Sequence, residues 1–214
     1  MLDITNLSLF VISVFLLSVT PGPDMAYVVG QSVANGRRAG VISAAGVALG
    51  SCTHALFSIV GLTALVAASP VLFSVVKYAG AAYLVYLGSR LILDSFKKKA
   101  MDSEQQPDIQ RNARLQELLS KGFITTLTNP KVLLFFVSFF PQFVVPGGEH
   151  YTASLLVLGL AYTLVAFFTD ATFALLAGTA AGAVSRNGRV QSWLDRVVGT
   201  LFIGLGIRLA LLRP

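Results

Sequence analysis

Four ionisable side chains stand inside long apolar runs of this sequence: Asp24 in TPGPDM, His54 in GSCTHALF, Lys131 in TNPKVLLFF and Asp170 in AFFTDATFAL. Charges are costly in hydrocarbon and mark functional sites when they occur there. Two carboxylates and one ammonium can hold the two ends of a zwitterion and pass a proton. Asp170 suits the proton role, because its neighbours are apolar or hydroxyl-bearing and such a setting disfavours an ionised carboxylate. Asp24 serves as a site group, as the N-cap of a helix resuming at Met25, or as both. Lys131 joins the site or, if its helix starts later, snorkels to an interface. A structural ion pair between Asp170 and Lys131 is a further alternative. His54 is as suited to hydrogen-bonded packing as to ligand contact.

Two of these residues follow proline breaks. Pro21-Gly22-Pro23 precedes Asp24, and Asn129-Pro130 precedes Lys131. Proline has no amide hydrogen and disrupts the preceding helical turn. Each break therefore frees backbone carbonyls, which are tolerated at membrane depth only where protein or a water-filled cavity satisfies them. A half-helix resuming near Asp24 turns its free amides, a partial positive end, toward the break. A substrate carboxylate fits there.

The elements that position these groups must be membrane helices. Of 214 residues, 55% are apolar and only 12% are charged, and the mean hydropathy is +0.74. At ~20 residues per span, this supplies about six spans and little else. It excludes a soluble globular enzyme, a disordered chain and a receptor with a large external domain. The net charge of +6 and the pI of about 9.7 reflect loop bases rather than nucleic-acid binding. The apolar runs are Ile4–Val29, Ala39–Ala68, Val71–Leu93, Gly122–Val145, Tyr151–Ala177 and Leu194–Leu212. They are long and continuous, so the expected fold class is all-α and not a β-barrel. The leader MLDITNLS has no base and no cleavage site follows, so the first run reads as a span and not as a signal peptide.

Three spans before and three after the polar stretch 94–121 suggest an internal repeat. Leu87-Gly88-Ser89-Arg90-Leu91-Ile92-Leu93 matches Leu205-Gly206-Ile207-Arg208-Leu209-Ala210-Leu211 at five of seven positions, 118 residues apart. Spans 1 and 4 share a proline break. An odd-numbered unit inverts when repeated, so the expectation is two inverted three-helix repeats, 1–93 and 122–214, joined by a cytoplasmic linker. Inverted repeats with broken helices point to a secondary transporter with a midplane site.

Twelve of the sixteen bases fall on one side of this arrangement, including Arg37, Arg38 and Lys97–Lys99. The positive-inside rule makes that side cytoplasmic and turns both termini outward. Leu115, Leu118 and Leu119 could form a short amphipathic turn in the linker, which otherwise reads as solvated chain. Cys52 is the sole cysteine and reads as a small packing residue. Gly40, Gly46 and Gly50, and then Gly178 and Gly182, have spacing suited to close helix contact, within one chain or in a homo-oligomer. The run Phe135, Phe136, Phe139, Phe140 and Phe143 reads as lipid-facing or core.

The segment from Thr20 to Gly50, TPGPDMAYVVGQSVANGRRAGVISAAGVALG, resembles the N-terminal signature of the lysine exporter (LysE/RhtB) family. TLTNPKVLLFFVSFFPQF, Thr126 to Phe143, resembles its second motif. The resemblance covers nearly the whole chain. It implies an exporter of amino acids or their derivatives in the bacterial inner membrane, driven by membrane potential or a proton gradient and needing no cofactor. It places substrate-binding positions at Pro21, Gly22, Pro23, Asp24, Asn129, Pro130 and Lys131. The sequence is more similar to the RhtB-like branch, which exports neutral amino acids such as homoserine, threonine and leucine.

Two other readings compete with export of amino acids. A metal-cation transporter would use Asp24, Asp170 and His54, but these form no sequence cluster. An intramembrane aspartyl enzyme would pair Asp24 with Asp170, but Asp170 lacks a glycine-rich context.

Overall fold

The computed structural model describes residues 2–68, 70–97, 114–145, 147–177 and 188–211. Among these the regular elements are helices, and the only β pairing is an isolated bridge between Ile4 and Val144.

The first expected span is two helices, α1 (Leu7–Val19) and α2 (Pro23–Asn35), bent by 55°. Thr20 leaves α1 with extended backbone, ψ 125°. Gly22 is the N-cap of α2 and Pro23 its first residue, where a missing amide hydrogen costs no helical bond. Asp24 therefore lies inside the first turn, which corrects the expectation that it caps a helix resuming at Met25. α2 also runs past the expected end at Val29. Its polar residues pair within the protein: Ser32 donates to the Ala174 carbonyl and Asn35 to Gln31 at 2.8 Å. Gly36, at φ 89°, provides the left-handed turn that ends it.

α3 (Arg37–Ala68) and α7 (Tyr151–Leu176) hold the segments long and apolar enough to cross a membrane, Arg37–Gly61 and Tyr151–Leu176, and the bent α1–α2 pair passes the same test as one broken span. α4 (Pro70–Lys97) packs along α8 (Gly188–Leu211). Glycines set this contact. A side chain at Gly88 would meet the Gly199 carbonyl and Ile203, and one at Gly206 would meet the Ala81 carbonyl and Val85. Adding 118 to 81, 85 and 88 gives 199, 203 and 206. The two contacts thus exchange under the register of the matched LGxR segments.

α5 (Leu115–Leu127) begins inside the stretch read as linker. The Arg114 amide donates to the Glu117 carboxylate at 3.2 Å and so closes the first turn. Leu118 is buried and Leu115 exposed, so the expected amphipathic turn is the start of a 13-residue helix. α5 lies close to α3: Gly46 faces the Leu119 carbonyl, Gly122 the Ser43 carbonyl, and Gly50 Thr126. Glycine spacing in α3 therefore works within the chain. Gly178 and Gly182 lie outside the described residues. Cys52, expected as packing, is exposed.

After Asn129 the chain resumes as α6 (Pro130–Leu134), passes through a π turn (Phe135–Phe139) and ends as a 3-10 turn (Phe140–Phe143). Phe135, Phe136, Phe139, Phe140 and Phe143 are buried in one core with Phe10 of α1, whose ring meets Phe143 edge-on at 5.2 Å. The lipid-facing alternative does not hold for these five. The same end is tied to the N-terminal strand-like segment: Thr5 donates to the Phe143 carbonyl at 2.8 Å, and the His150 amide donates to the Asp3 carboxylate at 2.7 Å.

Candidate functional site

The two breaks meet, and each supplies what the other lacks. In a helix the carbonyl of residue i accepts from the amide of residue i+4. Pro21 has no such hydrogen, so the Leu17 carbonyl is orphaned. The extended backbone at Thr20 likewise turns its carbonyl out of the helix. Both accept from the Lys131 ammonium, each at 3.0 Å. Pro130 likewise offers the Thr126 carbonyl no hydrogen, and that oxygen takes the Asn129 amide instead, at 3.0 Å. His54 Nε2 lies 3.1 Å from that oxygen. A carbonyl only accepts, so Nε2 carries the proton. The His54 ring also stacks on Phe136, 6.1 Å between centroids and 18° between planes.

Asp24 closes the exchange from the first break to the second. Its Oδ2 accepts from Asn129 Nδ2 at 2.9 Å, and its Oδ1 accepts from the Thr126 hydroxyl at 3.1 Å. Asn129 is the N-cap of α6, with its own oxygen accepting from the Lys131 amide at 3.0 Å. One amide side chain thus caps α6 and holds Asp24.

Lys131 points inward to the first break, so it does not snorkel. Among the described residues no carboxylate lies within ion-pair distance of its ammonium, which corrects the expected alternative of a pair with Asp170. Asp170 is buried on α7 and accepts no hydrogen bond from a described residue.

Asp24, Lys131 and Asp170 line one cavity of about 20 Å³, together with Leu17, Ser18, Met25, Val47, Ser51, Val132, Tyr162 and Ala166. That is room for roughly one water molecule. An amino acid enters only if the helices move apart. Pro21, Gly22, Pro23, Asn129 and Pro130 shape the breaks without lining the cavity, and His54 stands behind them on Thr126.

Thr126 and Tyr162 are the groups that sequence reading missed. Thr126 lies four residues before Pro130, so its carbonyl is the one the proline leaves without an i+4 amide. Tyr162 lies two turns before Asp170, with Ala166 between, on one face of α7. Its ring packs on Phe136 at 4.6 Å and Phe135 at 5.0 Å.

Gly22 is where the ammonium seat can be tested. Its φ of −169° suits any residue, but a β-carbon there would stand 3.0 Å from Lys131 Nζ. Gly22→Ala should push the ammonium off its carbonyls without straining the backbone. Weakening hydrogen bonds to a charged group by about 1–1.5 kcal/mol corresponds to a roughly fivefold to tenfold loss of flux. Transport in proteoliposomes checks this, with the unfolding midpoint expected to stay within a few degrees.

Interrupted membrane helices that meet around a buried polar cavity define a membrane transporter rather than an enzyme. The chain belongs to the LysE type translocator family, whose pattern matches residues 15–213. It is 34% identical over 210 residues to an uncharacterised membrane protein of Pseudomonas aeruginosa, covering 98% of this chain and 96% of that one. It is 28% identical over 211 residues to the leucine efflux proteins of Salmonella typhimurium and Salmonella typhi, covering 98% of this chain and 97% of each. No solved structure matches it.

Proposed function

We propose that this translocator exports neutral amino acids of the leucine, threonine or homoserine kind from the cytoplasm across the bacterial inner membrane, coupled to protons. The observation that carries this reading is the charge inventory of the cavity. Both oxygens of Asp24 are engaged by Thr126 and Asn129. Asp170 is the carboxylate left for a substrate ammonium or a proton. The Lys131 ammonium has three donors and uses two on carbonyls, which leaves one for a substrate carboxylate. One free donor and one free carboxylate match a single zwitterion. A lysine or arginine side chain would bring a second positive charge with no partner. The apolar lining from Leu17, Met25, Val47, Val132 and Ala166 suits an aliphatic side chain.

Other features support the setting. The 118-residue register shared by the LGxR segments and by the α4–α8 contacts supports two inverted three-helix repeats, 1–93 and 122–214. The inequality of bases supports a cytoplasmic linker and outward-facing termini. The broken helices supply hinges at Pro21–Pro23 and Asn129–Pro130 through which the closed cavity can open to either side in turn. A homo-oligomer is compatible with this scheme and is not needed by it. No group of three or more His, Cys, Asp or Glu among the described residues can hold a metal ion, so the metal-cation reading gains nothing from the geometry. The aspartyl-enzyme reading needs two carboxylates sharing a proton, whereas Asp24 is held by Thr126 and Asn129.

Proteoliposomes loaded with labelled leucine or threonine test the reading. A pH gradient should drive flux of both, and labelled lysine should move at least tenfold more slowly. Flux of Cd²⁺ or Mn²⁺ with no flux of any amino acid would overturn it in favour of a metal-cation transporter.

A further inference from the structure

The seat of the Lys131 ammonium has the features of a cation site. Its direct ligands are two neutral oxygens, the carbonyls of Leu17 and Thr20, each 3.0 Å away. One comes from the last turn of α1, where Pro21 withholds an amide, and the other from the extended backbone at Thr20. In transporters built from broken helices, such freed carbonyls coordinate coupling ions such as Na⁺. The carboxyl groups of Asp24 and Asp170 line the same cavity as the ammonium, beyond ion-pair distance. The seat is thus neutral at contact and lies in a negative field. Gly22 keeps the space open, since a β-carbon there would stand against Nζ. Hard oxygen ligands without a contacting carboxylate suit a singly charged cation better than a divalent one.

We propose that the break at Pro21–Pro23 is a monovalent-cation site that the chain fills with its own Lys131 ammonium. A covalently held cation cannot run down a gradient. The site therefore supplies the charge that steadies the break while contributing no coupling ion, and transport is independent of Na⁺. Removing the ammonium leaves the two carbonyls orphaned and the seat open to a free cation.

Purified Lys131→Ala and wild-type protein are unfolded thermally in detergent at constant ionic strength. Methylammonium, Na⁺ and the oversized tetramethylammonium are titrated separately. Methylammonium, which reproduces the lost group, is expected to raise the Lys131→Ala midpoint saturably, by about 3 °C or more at concentrations well above its Kd. Tetramethylammonium should not do so, and wild type should shift by less than a third of that amount. Equal responses of wild type and variant, or no response of the variant to methylammonium and Na⁺, would overturn the proposal. This arm needs no transport, so its outcome stands apart from the identity of the substrate. If Lys131→Ala does not fold, wild-type flux decides: replacing Na⁺ by choline should change it less than twofold, and a tenfold fall would show that an external cation fills the seat.

Discussion

Asp24→Asn is expected to reduce export at least a hundredfold while leaving membrane insertion and the unfolding midpoint close to wild type. The geometry makes this a nearly pure charge test. The substituted carboxamide can still accept from Asn129 through its oxygen. Its nitrogen can donate to Thr126, because a threonine hydroxyl can turn from donor to acceptor. The hydrogen bonds survive and the negative charge does not. Asp24→Leu is the contrasting variant. It leaves both the Asn129 amide and the Thr126 hydroxyl without an acceptor, at about 1–3 kcal/mol for each orphaned group, so stability and transport should fall together. Flux in proteoliposomes and thermal unfolding, measured on both variants, separate the two effects. Wild-type flux by Asp24→Asn would remove the carboxylate from the mechanism.

Asp170→Asn should break the link between transport and the proton gradient. The Asp170 carboxyl is buried and takes no hydrogen bond from a described residue, so gaining or losing a proton breaks no hydrogen bond among those residues. Asparagine keeps its size and cannot titrate. Flux driven by a pH gradient is expected to fall at least tenfold. Exchange of labelled for unlabelled leucine, with equal pH on both sides, should fall less than driven flux, because exchange needs no net proton movement and the asparagine oxygen can still accept from the substrate ammonium. Loss of exchange together with driven flux would make Asp170 a substrate ligand alone. Unchanged driven flux would place the coupling elsewhere.

Much of this was legible in the chain because hydrocarbon leaves the backbone few options. Long apolar runs must be largely helical, and the regular elements within them among the described residues are helices. The ends of α7, Tyr151–Leu176, differ from the apolar run by one residue. Ends set by polar pairing were less legible. α2 continues six residues past its apolar run because Ser32 finds the Ala174 carbonyl, and α5 starts seven residues before its run because Arg114 and Glu117 close its first turn. Neither partner choice is visible locally. Cys52 turned out exposed because its position on α3, next to the packed Ser51 and two before the buried His54, falls on the outer face.

The sequence alone determined which residues carry charge inside the membrane and which carbonyls would lose their i+4 amide. Proline chemistry fixes Leu17 and Thr126 as surely as it fixes the breaks. Tertiary structure decided who answers them. Lys131 turned to backbone carbonyls and not to a carboxylate. Asp24 became the acceptor for Thr126 and Asn129 and not a helix cap. Tyr162 joined the cavity from another helix. The physical reason is that an orphaned polar group in an apolar interior takes whatever partner the packing brings within about 3 Å. Proximity across 114 residues, as between Leu17 and Lys131, is set by the helices and glycine contacts that bring the two breaks together.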